Sequence, residues 1–275
     1  MNVKRPENVT PAPTQTPEQQ RIGTNLSFAV SEAYKLLRAN IMFSLPNDGD
    51  RCRVLGVTSS LPSEGKSTTS LNLACSIAET GKRVLVIEGD MRLPTMSKRL
   101  DVPKTPGLSN LLAGLCSGNE IIHRSGLVDG LDVMTGGDIP PNPSELLGSE
   151  RMAKVVEALA KGYDYIIFDL PPISSVSDAL VISNLIDGMV VVVRRDYCDQ
   201  QTLAETVRQL DFHNVKVLGF VFTYSEVLKK KYKKYKKGKG YGYGYKYGYG
   251  YEYGYGYGHN YEAAAEASKK KPAKR

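Results

Sequence analysis

The stretch VLGVTSSLPSEGKSTT at residues 54–69 decides the fold of this chain. Residues 54–57 are apolar, a polar segment follows, and from Lys66 onward apolar side chains recur at helical spacing, so the stretch predicts a strand, a loop and a helix. Backbone N–H groups at such a helix start bind phosphate, a lysine reaches the outer phosphates, and the next hydroxyl contacts Mg²⁺. The stretch therefore predicts a nucleotide-binding loop whose contacts come from Ser63, Glu64, Gly65, Lys66, Ser67 and Thr68.

The loop departs from the usual motif at its first position. That motif begins with a glycine, and Ser60 stands there instead. Gly-Lys-Ser by itself also occurs in surface turns that bind no ligand, so this alternative stays open on these residues alone.

The rest of the chain alternates between strand and helix patterns. Short runs rich in Val, Ile and Leu predict further strands at residues 83–88, 131–135, 163–169, 188–194 and 215–223. Helical patterns lie at residues 27–45, 66–80, 106–112, 140–160, 177–185 and 200–211. This alternation predicts the α/β class, with a mostly parallel sheet flanked by helices on both faces.

Acidic side chains follow two of the predicted strands. Glu88 and Asp90 come at the end of one strand, and Asp169 ends another. The carboxyl ends of parallel strands share one edge of the sheet, where carboxylates can hold Mg²⁺ or its bound waters beside phosphates. The alternative for Glu88 and Asp90 is a turn with an acidic start.

Composition divides the chain into three parts. Residues 1–23 are rich in Pro, Thr and Gln and predict a disordered arm, residues 24–228 hold the α/β domain, and residues 229–275 predict a disordered tail. The net charge is +7, but the tail contains fourteen Lys and Arg against three Glu. The domain itself is therefore acidic, which argues against a globular nucleic-acid-binding face.

Cysteine spacing and hydropathy predict the compartment. The four cysteines lie far apart, without the spacing of a zinc site or a disulfide framework. The sequence has neither a signal-peptide pattern nor an apolar run long enough to cross a bilayer. We expect a cytoplasmic protein.

The tail contains twelve tyrosines between Tyr232 and Tyr261, many of them alternating with glycine. Three interpretations are open: self-association of the rings, single-stranded nucleic-acid binding, and tyrosines that accept phosphoryl groups. A glycine-rich coil of about 20 residues spans roughly 25 Å, so the tail can reach its own phosphate site or that of a neighbour. The candidate acceptors are Tyr241, Tyr243, Tyr245, Tyr247, Tyr249, Tyr251, Tyr253, Tyr255, Tyr257 and Tyr261.

Taken together, these motifs resemble a bacterial tyrosine kinase (BY-kinase) domain of capsule and exopolysaccharide assembly. The resemblance covers residues 28–223 and the tyrosine tail. The loop SSLPSEGKST is similar to that family's phosphate loop, in which the first position is commonly not glycine. The segment EGDMR at residues 88–92 and the segment ending in Asp169 resemble its two acidic motifs. The resemblance implies a P-loop NTPase-like fold.

The resemblance implies a role for each site residue. Lys66 and the loop amides would hold the phosphates of ATP, and Mg²⁺ would be held by Ser67, Asp90 and Asp169. Glu88 would help to remove the proton from the incoming tyrosine. The catalytic set is thus Lys66, Glu88, Asp90 and Asp169.

The first predicted helix carries a further resemblance. Glu32, Lys35 and Arg38 match the family's Glu-x-x-Arg-x-x-Arg motif, which joins subunits into a ring, except that Lys35 replaces an arginine. The alternative is a solvated helix face with an intrahelical ion pair. The family also implies a separate membrane activator that holds the kinase at the inner face of the cell membrane, and a cognate tyrosine phosphatase.

These observations leave three functions to compare. The favoured one is an ATP- and Mg²⁺-dependent tyrosine kinase that phosphorylates the tail of a neighbouring subunit and regulates polysaccharide synthesis and export. A second is a partition or cell-division-positioning ATPase, although Leu61 stands where such proteins usually carry a second lysine. A third is a nucleic-acid-binding or scaffold protein that acts through its tail; no specific nucleic acid is expected for the favoured function.

Overall fold

A computed structural model describes residues 22–23, 26–45, 49 and 51–224 of the protein. These residues form a seven-stranded sheet in the order β3-β4-β2-β5-β1-β6-β7. Its strands are β1 (Arg53–Ser59), β2 (Val84–Glu88), β3 (Ile122–Arg124), β4 (Leu131–Met134), β5 (Tyr165–Asp169), β6 (Gly188–Arg194) and β7 (Val217–Thr223). All neighbouring strands pair in parallel except β3 and β4, which confirms the mostly parallel sheet.

Helices cover both faces of the sheet, as predicted. They are α1 (Phe28–Ser44), α2 (Lys66–Ala78), α3 (Met96–Leu100), α4 (Leu108–Ala113), α5 (Pro143–Leu147), α6 (Glu150–Ala160), α7 (Asp178–Val181) and α8 (Gln200–Phe212). Short 3-10 helices span Gly118–Glu120 and Ile182–Leu185. Within the described ranges, no helix is both long and apolar enough to cross a membrane.

The core has two parts because alternate side chains of each strand point to opposite faces. In β5, Ile166 and Phe168 belong to one buried cluster, and Tyr165 and Ile167 belong to the other. The first cluster takes in apolar residues of α4 to α8, and the second takes in those of α1 and α2. Strands buried on both faces explain the near-continuous Val, Ile and Leu runs of the sequence.

Several predicted boundaries differ from the structure. The helix predicted at residues 140–160 is two helices, because the chain leaves the helix at Gly148 and restarts where the Ser149 hydroxyl accepts the N–H of Met152. The helix predicted at residues 177–185 ends as a 3-10 helix. The three-residue strand β3 was not predicted, since three residues are too few to show a period.

The residues at the two ends of the described chain can be compared with the predicted arm and tail. Ile22 is buried, and the N–H of Gly23 donates to Asn72 Oδ1 at 3.0 Å, so these two residues of the predicted arm contact the domain. The rest of the arm and residues 225–275, with all the candidate acceptor tyrosines, lie outside the described residues. The domain boundaries at residues 23 and 228 stay predictions.

Candidate active site

The phosphate loop connects β1 to α2 at the carboxyl edge of the sheet. Gly65 has φ of +97°, a left-handed conformation, and it immediately precedes the first residue of α2, Lys66. A Cβ atom on Gly65 would lie 3.3 Å from Cγ2 of Thr223, at the end of β7. Both the backbone conformation and the neighbouring strand therefore favour glycine at this position.

Hydrogen bonds of Glu64 connect the phosphate loop to strands β6 and β7. Its buried carboxylate accepts the N–H of Leu61 at 2.7 Å and the N–H of Arg194, the last residue of β6, at 2.9 Å. Its carbonyl oxygen accepts the hydroxyl of Thr223 at 2.8 Å. The phosphate contact predicted for Glu64 stays a prediction for its backbone amide, while its side chain holds the loop in shape.

Arg194 adds a second connection between the loop and β7. Its guanidinium lies over the rings of Tyr224, 4.2 Å from the centroid, and Tyr197, 4.9 Å from the centroid. Its Nη1 donates to the carbonyl oxygen of Ser63 at 3.5 Å. Tyr224, the last described residue of the chain, is thus connected to the phosphate loop through Arg194.

A cavity of about 270 Å³ opens beside the loop. Its lining comes from the loop itself, from the segment between β2 and the end of α3, and from the segment after β5. The lining residues are Pro62, Ser63, Gly65, Lys66, Ser67, Thr68, Asp90, Arg92, Leu93, Thr95, Arg99, Pro171, Pro172, Ser175 and Val176. The structure therefore brings Ser63, Gly65, Lys66, Ser67, Thr68 and Asp90 of the predicted set together around one space.

Asp169 lies fully buried at the end of β5, beneath the loop. Its Oδ1 accepts the hydroxyl of Ser70 at 3.2 Å. Burial raises the pKa of this carboxyl to about 7, although a hydrogen bond from Ser67 and the charge of Lys66 oppose the shift. Asp169 thus titrates near neutral pH, and a cation placed beside it would favour the carboxylate.

Asp90 approaches the cavity from β2. Its backbone N–H donates to the carbonyl oxygen of Asp169 at 3.1 Å, and its Oδ1 accepts the N–H of Leu93 at 3.1 Å. Burial raises the pKa of the Asp90 carboxyl as well, against the hydrogen bond from Leu93 and the charge of Lys66. Asp90, just after β2, and Asp169, at the end of the adjacent strand β5, therefore lie next to each other at the carboxyl edge of the sheet.

The donor set fits Mg²⁺. The described residues contain no cluster of three or more His, Cys, Asp and Glu that would form a protein-only metal site. Mg²⁺ usually binds one or two carboxylates together with substrate phosphates and waters, so a larger cluster is not needed. Ser67, Asp90 and Asp169 offer only oxygen atoms, which are the ligands that Mg²⁺ prefers.

Glu88 lies apart from the cavity lining. Only 1% of its surface is exposed, and its two carboxylate oxygens accept backbone N–H groups from Thr95, Met96 and Gly136, the latter two at 2.8 and 2.9 Å. Burial raises the pKa of Glu88 despite these hydrogen bonds. These contacts fix the segment that carries Asp90, and Glu88 is not among the residues that line the cavity.

Sequence reasoning missed two arginines of the lining. Arg92 donates from Nε and Nη2 to both carboxylate oxygens of the buried Asp178, at 2.9 and 3.0 Å, and Asp178 also accepts the hydroxyl of Ser144. Arg99 of α3 donates to the hydroxyl of Thr95 at 3.3 Å and to that of Thr68 at 3.5 Å. Arg92 could have been found from its place in EGDMR, whereas nothing in the sequence pattern marks Arg99.

The three residues of the α1 motif, Glu32, Lys35 and Arg38, form two separate contacts. Lys35 Nζ pairs with Glu32 Oε1 at 2.8 Å on the same helix. Arg38 points toward α2, where its Nη1 donates to the carbonyl oxygen of Ser76. The intrahelical ion pair of the alternative interpretation is therefore present. The contact of Arg38 with a neighbouring subunit stays a prediction.

Comparison with known proteins identifies the family. A family model described as an AAA domain matches residues 63–217. Tyrosine-protein kinase YwqD of Bacillus subtilis strain 168 is 36% identical over 199 residues, which are 72% of this chain and 83% of the relative.

Solved structures agree. The kinase domain of the Escherichia coli tyrosine kinase ETK aligns with a TM-score of 0.71 at 29% identity, over 89% of each chain. The chimerical protein CapA2B2 aligns with a TM-score of 0.70 at 32% identity, over 76% of this chain and 90% of that one. The fold, the loop and its acidic neighbours, and these relatives all lead to the same conclusion: the chain belongs to the bacterial tyrosine-protein kinases, the BY-kinase family.

Proposed function

We propose that this kinase uses ATP and Mg²⁺ to phosphorylate the tail tyrosines of a neighbouring subunit, and that this reaction regulates capsule or exopolysaccharide synthesis and export. The observation that carries the proposal is the cavity, in which the phosphate loop and Asp90 face one space. The end of β7 supports it, because the Thr223 hydroxyl binds the loop at Glu64 and the tyrosine tail follows soon afterward in the sequence.

In the proposed reaction, Lys66 and the loop amides bind the β and γ phosphates and stabilise the charge that develops during transfer. Ser67, Asp90 and Asp169 would hold Mg²⁺ directly or through water. When bound, Mg²⁺ would neutralise part of the negative charge of the phosphates. The phenol oxygen forms a bond to the γ phosphorus while the bond to the β-phosphate oxygen breaks, and ADP leaves.

The phenol proton needs an acceptor near the phosphorus. A tyrosine has a pKa near 10, so a base assists the reaction at neutral pH. Glu88 was expected in this role, but its hydrogen bonds support a positioning role for it instead. Asp90 lines the cavity, so we assign the proton to Asp90, which would then contact Mg²⁺ through a bound water rather than directly.

The proposal includes an assembly. Glu32, Lys35 and Arg38 would join subunits into a ring in which one tail reaches the next site. A separate activator protein would hold the ring at the inner face of the membrane, and a tyrosine phosphatase would reverse the reaction. Each phosphate adds about −1.5 to −2 charges, so several of them would cancel the excess of Lys and Arg in the tail.

The decisive experiment mixes active and inactive subunits. A chain with Lys66→Met that keeps its tail should not label itself with ATP and Mg²⁺, because it lacks the charge that binds the outer phosphates. In a mixture with wild-type chain and an activator segment, its tail should acquire phosphotyrosine, measured by site mapping. Self-labelling of the Lys66→Met chain at the wild-type rate would refute the site, and an unlabelled tail in the mixture would refute transfer between subunits.

A further inference from the structure

The cavity has lining residues that the nucleotide phosphates do not explain. The loop supplies the phosphate contacts, while Arg92, Leu93 and Arg99 come from the segment after β2. Leu93 is a large apolar residue that is 72% exposed at this segment. If the loop binds the donor, an acceptor tyrosine that enters this cavity comes close to these residues, which share the lining with residues 171–176.

The two arginines differ in how their charge is compensated. Arg92 forms a bidentate pair with Asp178, so its charge is balanced within the domain. Arg99 donates only to the neutral hydroxyls of Thr95 and Thr68, and no carboxylate among the described residues forms an ion pair with it. Arg99 therefore brings an uncompensated positive charge to the cavity, next to the phosphate loop.

We propose that Arg99 determines acceptor specificity and favours tyrosines that have an acidic neighbour over those that have a basic one. The inference rests on the proposed function and deepens it by naming which tail tyrosines react first. A carboxylate beside the acceptor would be attracted by Arg99, and an ammonium group would be repelled. Partly exposed charge pairs of this kind contribute up to about 1 kcal/mol, which corresponds to a preference of about two- to fivefold.

The tail contains a matched pair of acceptor sites that differ in this one property. Residues 244–248 read GYKYG and residues 250–254 read GYEYG. The tyrosines, the flanking glycines and the spacing are the same, so within these two five-residue segments only Lys246 and Glu252 differ. Arg99 should direct phosphorylation to the second site before the first.

The same preference would spread phosphorylation along the tail. The tail tyrosines alternate with single residues in the sequence, so a new phosphotyrosine adds an anionic neighbour two residues from the next tyrosine. Each transfer would then make the adjacent Gly-separated tyrosine a better acceptor.

The test uses full-length chains and measures a ratio within one molecule. A ¹⁵N-labelled acceptor chain with Lys66→Met is mixed with an active donor chain, an activator segment, ATP and Mg²⁺, and initial labelling is mapped by mass spectrometry. The ratio is that of phosphate at Tyr251 and Tyr253 to phosphate at Tyr245 and Tyr247. With the wild-type donor we expect about two to five. In an acceptor with Lys246→Glu and Glu252→Lys the ratio should invert.

Donor variants then test Arg99 itself. Arg99→Gln should bring both ratios toward one, and Arg99→Lys, which keeps the charge, should preserve the preference. An unchanged ratio in Arg99→Gln overturns the inference, even if total labelling falls, because Arg99 would then act on the donor side. A ratio that the charge swap does not invert also overturns it, because position along the tail would then decide. No tail labelling in any mixture would instead refute the proposed function, and this inference with it.

Discussion

The protonation of Asp169 links the stability of the fold to the proposed active site. The buried carboxyl keeps its proton up to a pH of about 7, whereas in the unfolded chain an aspartate releases it near pH 4. Between these values the folded state binds more protons, so the contribution of Asp169 to stability falls as the pH rises from about 4 to 7. Above pH 7 the folded protein holds an ionised carboxylate without a metal, and that costs stability.

We therefore predict that Asp169→Asn stabilises the protein at alkaline pH when neither Mg²⁺ nor nucleotide is present. Asparagine cannot ionise and retains an oxygen for the Ser70 hydroxyl. The Tm of the variant should exceed that of the wild type on the order of 5 °C at pH 8 and should match it near pH 4. The charges of Glu88 and Asp90 also raise the pKa of Asp169, so the variant removes this repulsion as well, and both effects favour it at alkaline pH. A difference in Tm that does not grow with pH would contradict the assignment.

At the scale of elements, the pair formed by Arg92 and Asp178 joins the segment after β2 to the start of α7. Asp178 is completely buried, and 40% of the Arg92 side chain is exposed. Removal of one partner of a buried pair leaves the other charge without compensation.

Arg92→Ala should lower the free energy of unfolding by about 2 kcal/mol, less than for a fully buried pair because Arg92 is partly exposed. Urea unfolding measures this change. The double variant Arg92→Ala with Asp178→Asn should recover part of the loss, since the buried charge is then absent. If the single variant unfolds at the wild-type urea concentration, the pair does not support this segment.

Helix α1 offers a second prediction at this scale, because its motif combines contacts within the chain with the proposed contacts between subunits. Arg38→Ala removes the hydrogen bond to Ser76 and should lower both stability and oligomer mass. Glu32→Ala removes only an exposed pair with Lys35, so its stability should change by less than about 0.5 kcal/mol while its oligomer mass falls. Light scattering and urea unfolding separate these effects. An unchanged mass in Glu32→Ala would remove α1 from the proposed interface.

For the molecule as a whole, local patterns predicted the sheet and the loop because these features depend on short-range periodicity and on residues adjacent in sequence. The strand order and the pairing of β3 with β4 depend on contacts between distant segments. The roles of Glu64 and Glu88 could not be predicted for the same reason: which backbone N–H groups a carboxylate accepts is decided by the segments that fold around it. Arg99 reaches the site because the fold brings α3 to the start of α2, where the guanidinium lies 3.5 Å from the Thr68 hydroxyl.

The cation–π contact between Tyr224 and Arg194 makes position 224 suitable for a fluorescent reporter. Arg194 binds the carbonyl of Ser63 in the phosphate loop, and Tyr224 immediately precedes the segment that leads to the tail. The chain contains no tryptophan. A single tryptophan in place of Tyr224 would therefore be its only indole, and the fluorescence of that indole against the guanidinium would follow the phosphate loop in real time as nucleotide enters and leaves.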